Sequence, residues 1–205
     1  MNRFFFNLII LILVLSCSKD DSDSIEGVLD LDGKNLYAAG YYIDSYPNGT
    51  QYATYWLNGK RIVLGEGEIS DIQVKDGVVY ATGYDENWDA VYWVDGAKKT
   101  LEGDDTHAHS IFVNNGDVYV AGSFSNGSCY WKNGTKINLT TNADSEAFGI
   151  IVNDNGNVIT GGYFMSKHHY LVPARWDGTK RKNMTKPDGG DAEIYDLKLK
   201  GNTPV

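Results

Sequence analysis

Two patterns of apolar residues divide the chain. Phe4 to Leu15 is an apolar run broken only by Asn7, whereas from about residue 27 the apolar residues alternate with polar ones in short runs, as in Ile111, Val113 and then Val118, Val120. A period of two sends successive side chains to opposite faces of a strand. These runs are rich in Val, Ile, Tyr and Trp, residues that suit a pleated, half-buried surface. No stretch after the first run keeps a helical period, so the body of the chain is expected to be all-β.

The alternation is itself repeated. Asn35-Leu-Tyr-Ala-Ala-Gly40, Val78-Val-Tyr-Ala-Thr-Gly83, Asp117-Val-Tyr-Val-Ala-Gly122 and Asn157-Val-Ile-Thr-Gly-Gly162 place their last glycines 43, 39 and 40 residues apart. A second segment recurs as Trp56-Leu-Asn-Gly59, Trp93-Val-Asp-Gly96, Trp131-Lys-Asn-Gly134 and, one residue shorter, Trp176-Asp-Gly178. Asn-Gly or Asp-Gly supplies the two positive-φ residues that a tight hairpin needs. Lys75-Asp76-Gly77, Asn114-Asn115-Gly116 and Asp154-Asn155-Gly156 are expected to close a second hairpin in the same way. In the third unit this predicts strands at Ala108 to Asn114, Asp117 to Ser123, Ser128 to Asn133 and Thr135 to Leu139, with the longer connection Thr140 to Glu146 carrying the chain onward. The recurring Trp56, Trp93, Trp131 and Trp176, and Tyr37, Tyr80 and Tyr119, are expected to be core between units.

Four antiparallel strands in about 40 residues match one blade of a β-propeller. Ala147-Phe-Gly-Ile-Ile-Val-Asn-Asp-Asn-Gly-Asn-Val-Ile-Thr-Gly-Gly162 is similar to a bacterial β-propeller repeat that runs Ala, two residues, Ile, one residue, Val, a polar turn, then Gly-Asn-Val-Tyr-Val-Thr-Gly. Ala108 to Gly122 and Ile69 to Gly83 follow it too. The resemblance implies a propeller of four-stranded antiparallel blades and no shared activity. Within a repeat domain at 25–205 the blades are expected at about 27–65, 68–102, 107–140 and 146–185, with the start of a fifth at 191–205. Gly27 to Asp32 would be the inner strand of the first blade and Ala192 to Leu199 that of the fifth. Three readings of this count stay open: a truncated larger propeller, a ring completed by two chains, or a four-bladed ring closed by the last strand. An incomplete arc fits the intact unit boundaries best, and its exposed blade faces would favour self-association.

The first apolar run is too short to span a bilayer comfortably and, with Arg3 before it, reads as a signal peptide over residues 1–16. Val14-Leu15-Ser16-Cys17 resembles the lipobox of bacterial lipoproteins, which implies that Cys17 carries lipid and anchors the chain to a membrane. Residues 17–24 are polar and acidic and read as a disordered tether, and Lys19-Asp20-Asp21 resembles a signal for the outer face of the outer membrane. With a net charge of −9, nucleic acid is not an expected partner. Cys129 is the only cysteine besides Cys17, so no internal disulfide is expected.

Candidate chemistry is confined to loops. The connections between second and third strands differ most between units, and variable loops on a rigid scaffold are where binding residues usually sit. Tyr46, Trp88, His168, His169 and Tyr170 would share one rim with Asp104, Asp105, His107 and His109, where a glycan or a protein partner is expected, the glycan stacking on Trp88 or Tyr46. His107-Ala-His109 lacks the third ligand and the supporting shell of a zinc site, so neither metal nor cofactor is expected. Asp154-x-Gly156-Asn157 lacks the further acidic ligands of a calcium loop. No Gly-x-Ser-x-Gly, Walker, Rossmann, His-Glu-x-x-His or sialidase-like Asp-box motif occurs. The expectation is therefore a non-enzymatic binding scaffold. Two alternatives remain: a polysaccharide hydrolase or lyase using Asp104 and Asp105 or a carboxylate with His107, and a fragment without function of its own.

Overall fold

The computed structural model describes residues 33–141, 144–186 and 188–199. The signal segment, Cys17, the acidic tether, the expected strand Gly27 to Asp32 and residues 201–205 lie outside the described residues. Those described form fourteen strands and no helix.

The strands make antiparallel sheets in which neighbours in sequence are neighbours in space. β1 (Tyr37–Ile43), β2 (Gln51–Leu57), β3 (Lys60–Lys75), β4 (Val78–Asp85), β5 (Ala90–Val94) and β6 (Ala97–Thr100) form a six-stranded sheet. The four-stranded sheets are β7 (His107–Asn114), β8 (Asp117–Phe124), β9 (Gly127–Lys132) and β10 (Thr135–Asn138), then β11 (Ser145–Val152), β12 (Val158–Met165), β13 (Leu171–Asp177) and β14 (Lys180–Asn183). The described sheets do not close a ring.

The six-stranded sheet arises because β3 serves two units. Its first part pairs with β2 through Glu66, and its second part pairs with β4 from Gly67. A separate strand had been expected on each side of this point; instead the chain crosses without leaving the ladder. Gly65 and Gly67 have φ of 144° and 126°, and a Cβ on Gly67 would collide with the Tyr84 carbonyl, so this bend needs glycine.

The Asn-Gly and Asp-Gly turns follow the sequence reading at Asn58-Gly59, Asp76-Gly77, Asp95-Gly96, Asn115-Gly116 and Asn133-Gly134, where both residues have positive φ. The Asn58, Asp95 and Asn133 side chains also accept the backbone N–H of Leu36, Val79 and Val118, each at 2.8 Å, tying the turn to the start of the second strand of the unit. The fourth unit departs from this twice. At Asp154-Asn155-Gly156 only the glycine has positive φ, and the Asn153 carbonyl accepts the Gly156 N–H, which makes a longer turn with a left-handed glycine. At Asp177 to Lys180 the loop is Gly178-Thr179, with positive φ at the first position alone, as in a type II′ hairpin.

The sheets pack face to face through the repeated aromatics. Trp93, Trp131 and Trp176 are 1%, 0% and 0% exposed. Trp93 joins a core with Ala53, Ile69, Ala81 and Val91, against which Ala39 and Tyr55 pack. Trp131 joins one with Tyr92, Leu101, Ala108, Ile111 and Val120, and its indole N–H donates to the Glu102 carbonyl of the preceding unit at 2.8 Å. Each such core contains residues of two successive units, so the units stabilise one another by burying apolar area that a single sheet would expose. Cys129 lies in the same core, and burial pushes its thiol up to about 12.

Polar ties join the first strands of successive units as well. The Asp71 carboxylate accepts Ser110 Oγ at 2.9 Å and the Ile111 N–H at 2.8 Å, and Gln73 Oε1 accepts the Val113 N–H at 2.6 Å. Residues 192–199, expected as a strand, carry no strand ladder. They lie on the face of β11 and β12, where a Cβ on Gly149 would stand 3.1 Å from Asp196 Cα and one on Gly161 would meet Ile194 and Leu197.

Candidate functional site

The site begins with a defect repeated in register. The first strand of each unit in which it lies among the described residues bulges at one place, between Ile69 and Asp71, between Ala108 and Ser110, and between Ala147 and Gly149. A bulge leaves one residue unpaired and re-aims its side chain. The bulged residues are Ser70, His109 and Phe148, and all three face one inner cleft together with Tyr195. The cleft has two adjoining parts of about 610 and 630 Å³. The first is walled by Asp71 to Gln73, Ser110 to Phe112, Ile150, Ile151 and residues 196–199, the second by Ala39, Tyr41, Trp56 and Glu68.

Aromatic rings gather there. Phe148 has its ring 4.9 Å from His109, 5.3 Å from Tyr195 and 6.0 Å from Tyr163, all tilted. Beside it Glu146 Oε2 lies 3.0 Å from His109 Nε2, an ion pair whenever the imidazole is protonated. The imidazole holds the Glu146 carboxyl below the usual range, against the effect of burial.

On one side the cleft meets a second cluster. The Gln51 amide nitrogen donates to Glu68 Oε2 at 3.1 Å and to Tyr84 Oη at 2.7 Å, while the Tyr84 hydroxyl donates to the same Glu68 oxygen at 3.0 Å. Burial and the Glu68 carboxylate raise the Tyr84 phenol above its ordinary value, so it stays a donor. Trp88 lies over the Tyr84 ring at 4.6 Å with an interplanar angle of 16°, and 72% of its surface is exposed. Its loop is held by Asp85, whose carboxylate accepts the Asn87 N–H at 3.0 Å and the Lys98 ammonium at 2.8 Å. Burial alone would raise the Asp85 carboxyl, but the Lys98 and backbone hydrogen bonds outweigh it and hold the group low.

On the other side is a smaller cleft of about 480 Å³ lined by Asp105, His107, Phe124, Asn126, Asp144 and Glu146 among others. The structure therefore places Asp105 and His107 in the smaller cleft and His109 in the inner one, and stacks Trp88 on Tyr84, whose hydroxyl meets Glu68 of the inner cleft. Asp104, Tyr46, His168 and His169 line none of these clefts; Tyr46 is 91% exposed, and the two histidines occupy the tip of the β12–β13 loop. Sequence reasoning missed Ser70, Phe148, Glu68, Glu146 and Tyr195. The available signal was a break of the two-residue period, since Ala108 and Ile111, like Ala147 and Ile150, are buried at a spacing of three.

Among the described residues no group of three or more His, Cys, Asp or Glu side chains is placed to hold a metal ion. No family model matches the chain, and no curated protein matches it.

Proposed function

We propose that the chain is an exported, lipid-anchored binding scaffold: Cys17 holds it to a bacterial outer membrane, an open arc of propeller blades forms its body, and the end bearing the inner cleft takes a ligand. The anchor rests on the apolar run followed by Val14-Leu15-Ser16-Cys17. The blade reading is supported by three four-stranded meanders whose first strands lie side by side, with Trp93 and Trp131 packed between units.

One observation carries the binding reading. The bulges at Ser70, His109 and Phe148 recur in register and turn three different side chains into one cleft, whereas a purely structural repeat would place like residues there. The groups assembled are aromatic rings, carboxylates and an imidazole, which suit recognition. Asp105 shares the smaller cleft with His107, Asp144 and Glu146, whereas Asp104 is not among its lining residues.

Two measurements test this. Cells expressing the full chain and fed an alkyne fatty acid should label the wild type in the membrane fraction, with label and membrane retention both lost in Cys17→Ala; an unlabelled wild type overturns the anchor. The purified full chain, applied to glycan and peptide arrays, should give signals that fall in His109→Ala and Phe148→Ala. A folded protein that binds nothing on either array overturns the scaffold reading.

A further inference from the structure

We propose that Trp88, backed by Tyr84, is the stacking platform of a site for a neutral oligosaccharide, and that Glu68 and Gln51 beside it accept hydroxyls of the adjoining sugar. This rests on the binding-scaffold reading and gives it a ligand class.

The first ground is the backbone of Trp88. Its φ is 65°, a left-handed conformation that is strained for a non-glycine residue and tends to persist at functional sites. The turn itself asks for nothing so large: its closing bond, Trp88 N–H to the Asp85 carbonyl at 3.0 Å, is matched in the fourth unit by His169 N–H to the Ser166 carbonyl at 2.9 Å. Glycine would make the same turn freely. A bulky indole at this position presents a flat apolar surface to solvent, and no sheet face or core cluster uses it.

The second ground is how the indole is held. One face lies on Tyr84, whose hydroxyl is fixed by Glu68 and Gln51, so the ring is already ordered and its outer face is free. The apolar C–H face of a pyranose matches such a surface. Preordering lowers the entropic cost of binding.

The third ground is the count of donors and acceptors. Both amide hydrogens of Gln51 and the Tyr84 proton are engaged within the cluster, while Glu68 Oε1 and Gln51 Oε1 accept no hydrogen bond from the described residues. Two acceptors with open lone pairs beside an aromatic face call for a ligand rich in O–H donors. The charge around Trp88 decides against an acidic one. Asp85, Glu86 and Asp89 flank it, and the Lys98 ammonium is shared between Asp85 at 2.8 Å and Glu86 at 3.0 Å, so a uronate or sulfated sugar would meet net negative charge.

The test uses the full chain in detergent, titrated with cellohexaose, xylohexaose, mannohexaose and laminarihexaose, and with oligogalacturonate as the anionic control. Trp93, Trp131 and Trp176 are buried but Trp56 lines the inner cleft, so a change in tryptophan emission on binding is assigned to Trp88 only where it disappears in Trp88→Gly, and calorimetry gives the affinity. At least one neutral hexaose is expected to bind saturably while oligogalacturonate does not. Trp88→Gly should weaken that binding about tenfold or more with the melting temperature unchanged or raised, because glycine relaxes the turn. Glu68→Gln should weaken it severalfold. Retention of full affinity in Trp88→Gly overturns the platform, as does the absence of binding by all four neutral hexaoses up to about 10 mM. Binding that survives Trp88→Gly but is lost in His109→Ala overturns this assignment and leaves the scaffold reading standing.

Discussion

At the scale of single residues, the turn positions of the Trp-x-Asn-Gly segment do more than permit positive φ. Asn133 Oδ1 accepts the Val118 N–H at 2.8 Å and its amide nitrogen donates to Asp117 at 2.8 Å, so one side chain fastens the hairpin tip to the strand beside it. Asn133→Ala should leave that N–H without its partner and lower stability by about 1–2 kcal/mol in urea unfolding. Asn155→Ala, whose side chain makes no such bond, should change it by less than about 0.5 kcal/mol. Asp85 makes the corresponding case for charge. Its folded carboxyl is held low, so its contribution to stability is present above the ordinary carboxylate range and is lost as pH falls through the lower folded value. Asp85→Asn should lower stability near neutral pH by about 1–3 kcal/mol and flatten that acid limb in a series of thermal melts. The turn types were legible in the sequence because Asn-Gly has few conformational alternatives. The second role of the Asn and Asp side chains was not, because it depends on how closely the neighbouring strand approaches.

At the scale of elements, alternation located the strands closely: in the third unit the strand expected at Ala108 to Asn114 is β7, His107–Asn114, and that expected at Thr135 to Leu139 is β10, Thr135–Asn138. It could not show that β3 runs through two units, since Leu64-Gly65-Glu66-Gly67-Glu68 reads as a loop until the pairing of both its halves is known. Nor did it show the bulges, which shift register by one residue and so move a side chain from the sheet to the cleft. In the three units with a bulged first strand, the glycine that ends the first of the two repeated segments, Gly83, Gly122 or Gly162, belongs to the same device. A Cβ on Gly122 would collide with the His107 carbonyl and stand 2.8 Å from the Trp131 ring, and Gly83 and Gly162 face Glu68 and Glu146 alike. Gly122→Ala should therefore push β7 away from β8 and cost about 1–3 kcal/mol, where Gly116→Ala, with open space around it, should reflect its positive φ alone. Chemical unfolding of the two variants separates collision from conformation.

At the scale of the whole molecule, successive sheets are held by two unlike sets of contacts, and their consequences differ. Apolar burial around Trp93 and Trp131 is non-directional and would tolerate a small slip of one sheet over the next. The Asp71 carboxylate fixes the register: it spans from one first strand to the Ser110 hydroxyl and Ile111 N–H of the next, and Gln73 repeats the tie one step along at Val113. Because Ser70, His109 and Phe148 share a cleft only while these strands stay in register, the tie and the site are linked. Asp71→Ala should remove the acceptor from a buried N–H and cost about 1–3 kcal/mol. It should also speed hydrogen exchange at the Ile111 amide more than at Val120, which pairs with it on the next strand of the same sheet. In a chain of units coupled mainly to their nearest neighbours, weakening one junction should broaden the unfolding transition as well as shift it, because the sheets on either side then lose their tertiary contacts over different ranges of denaturant. Trp131→Ala, which removes apolar contact at the same junction, supplies the comparison: a larger loss of stability, about 3–5 kcal/mol, but no selective change at Ile111. Equal exchange at Ile111 and Val120 in Asp71→Ala would mean that apolar packing alone sets the register, and that the alignment of the three bulges owes nothing to the carboxylate.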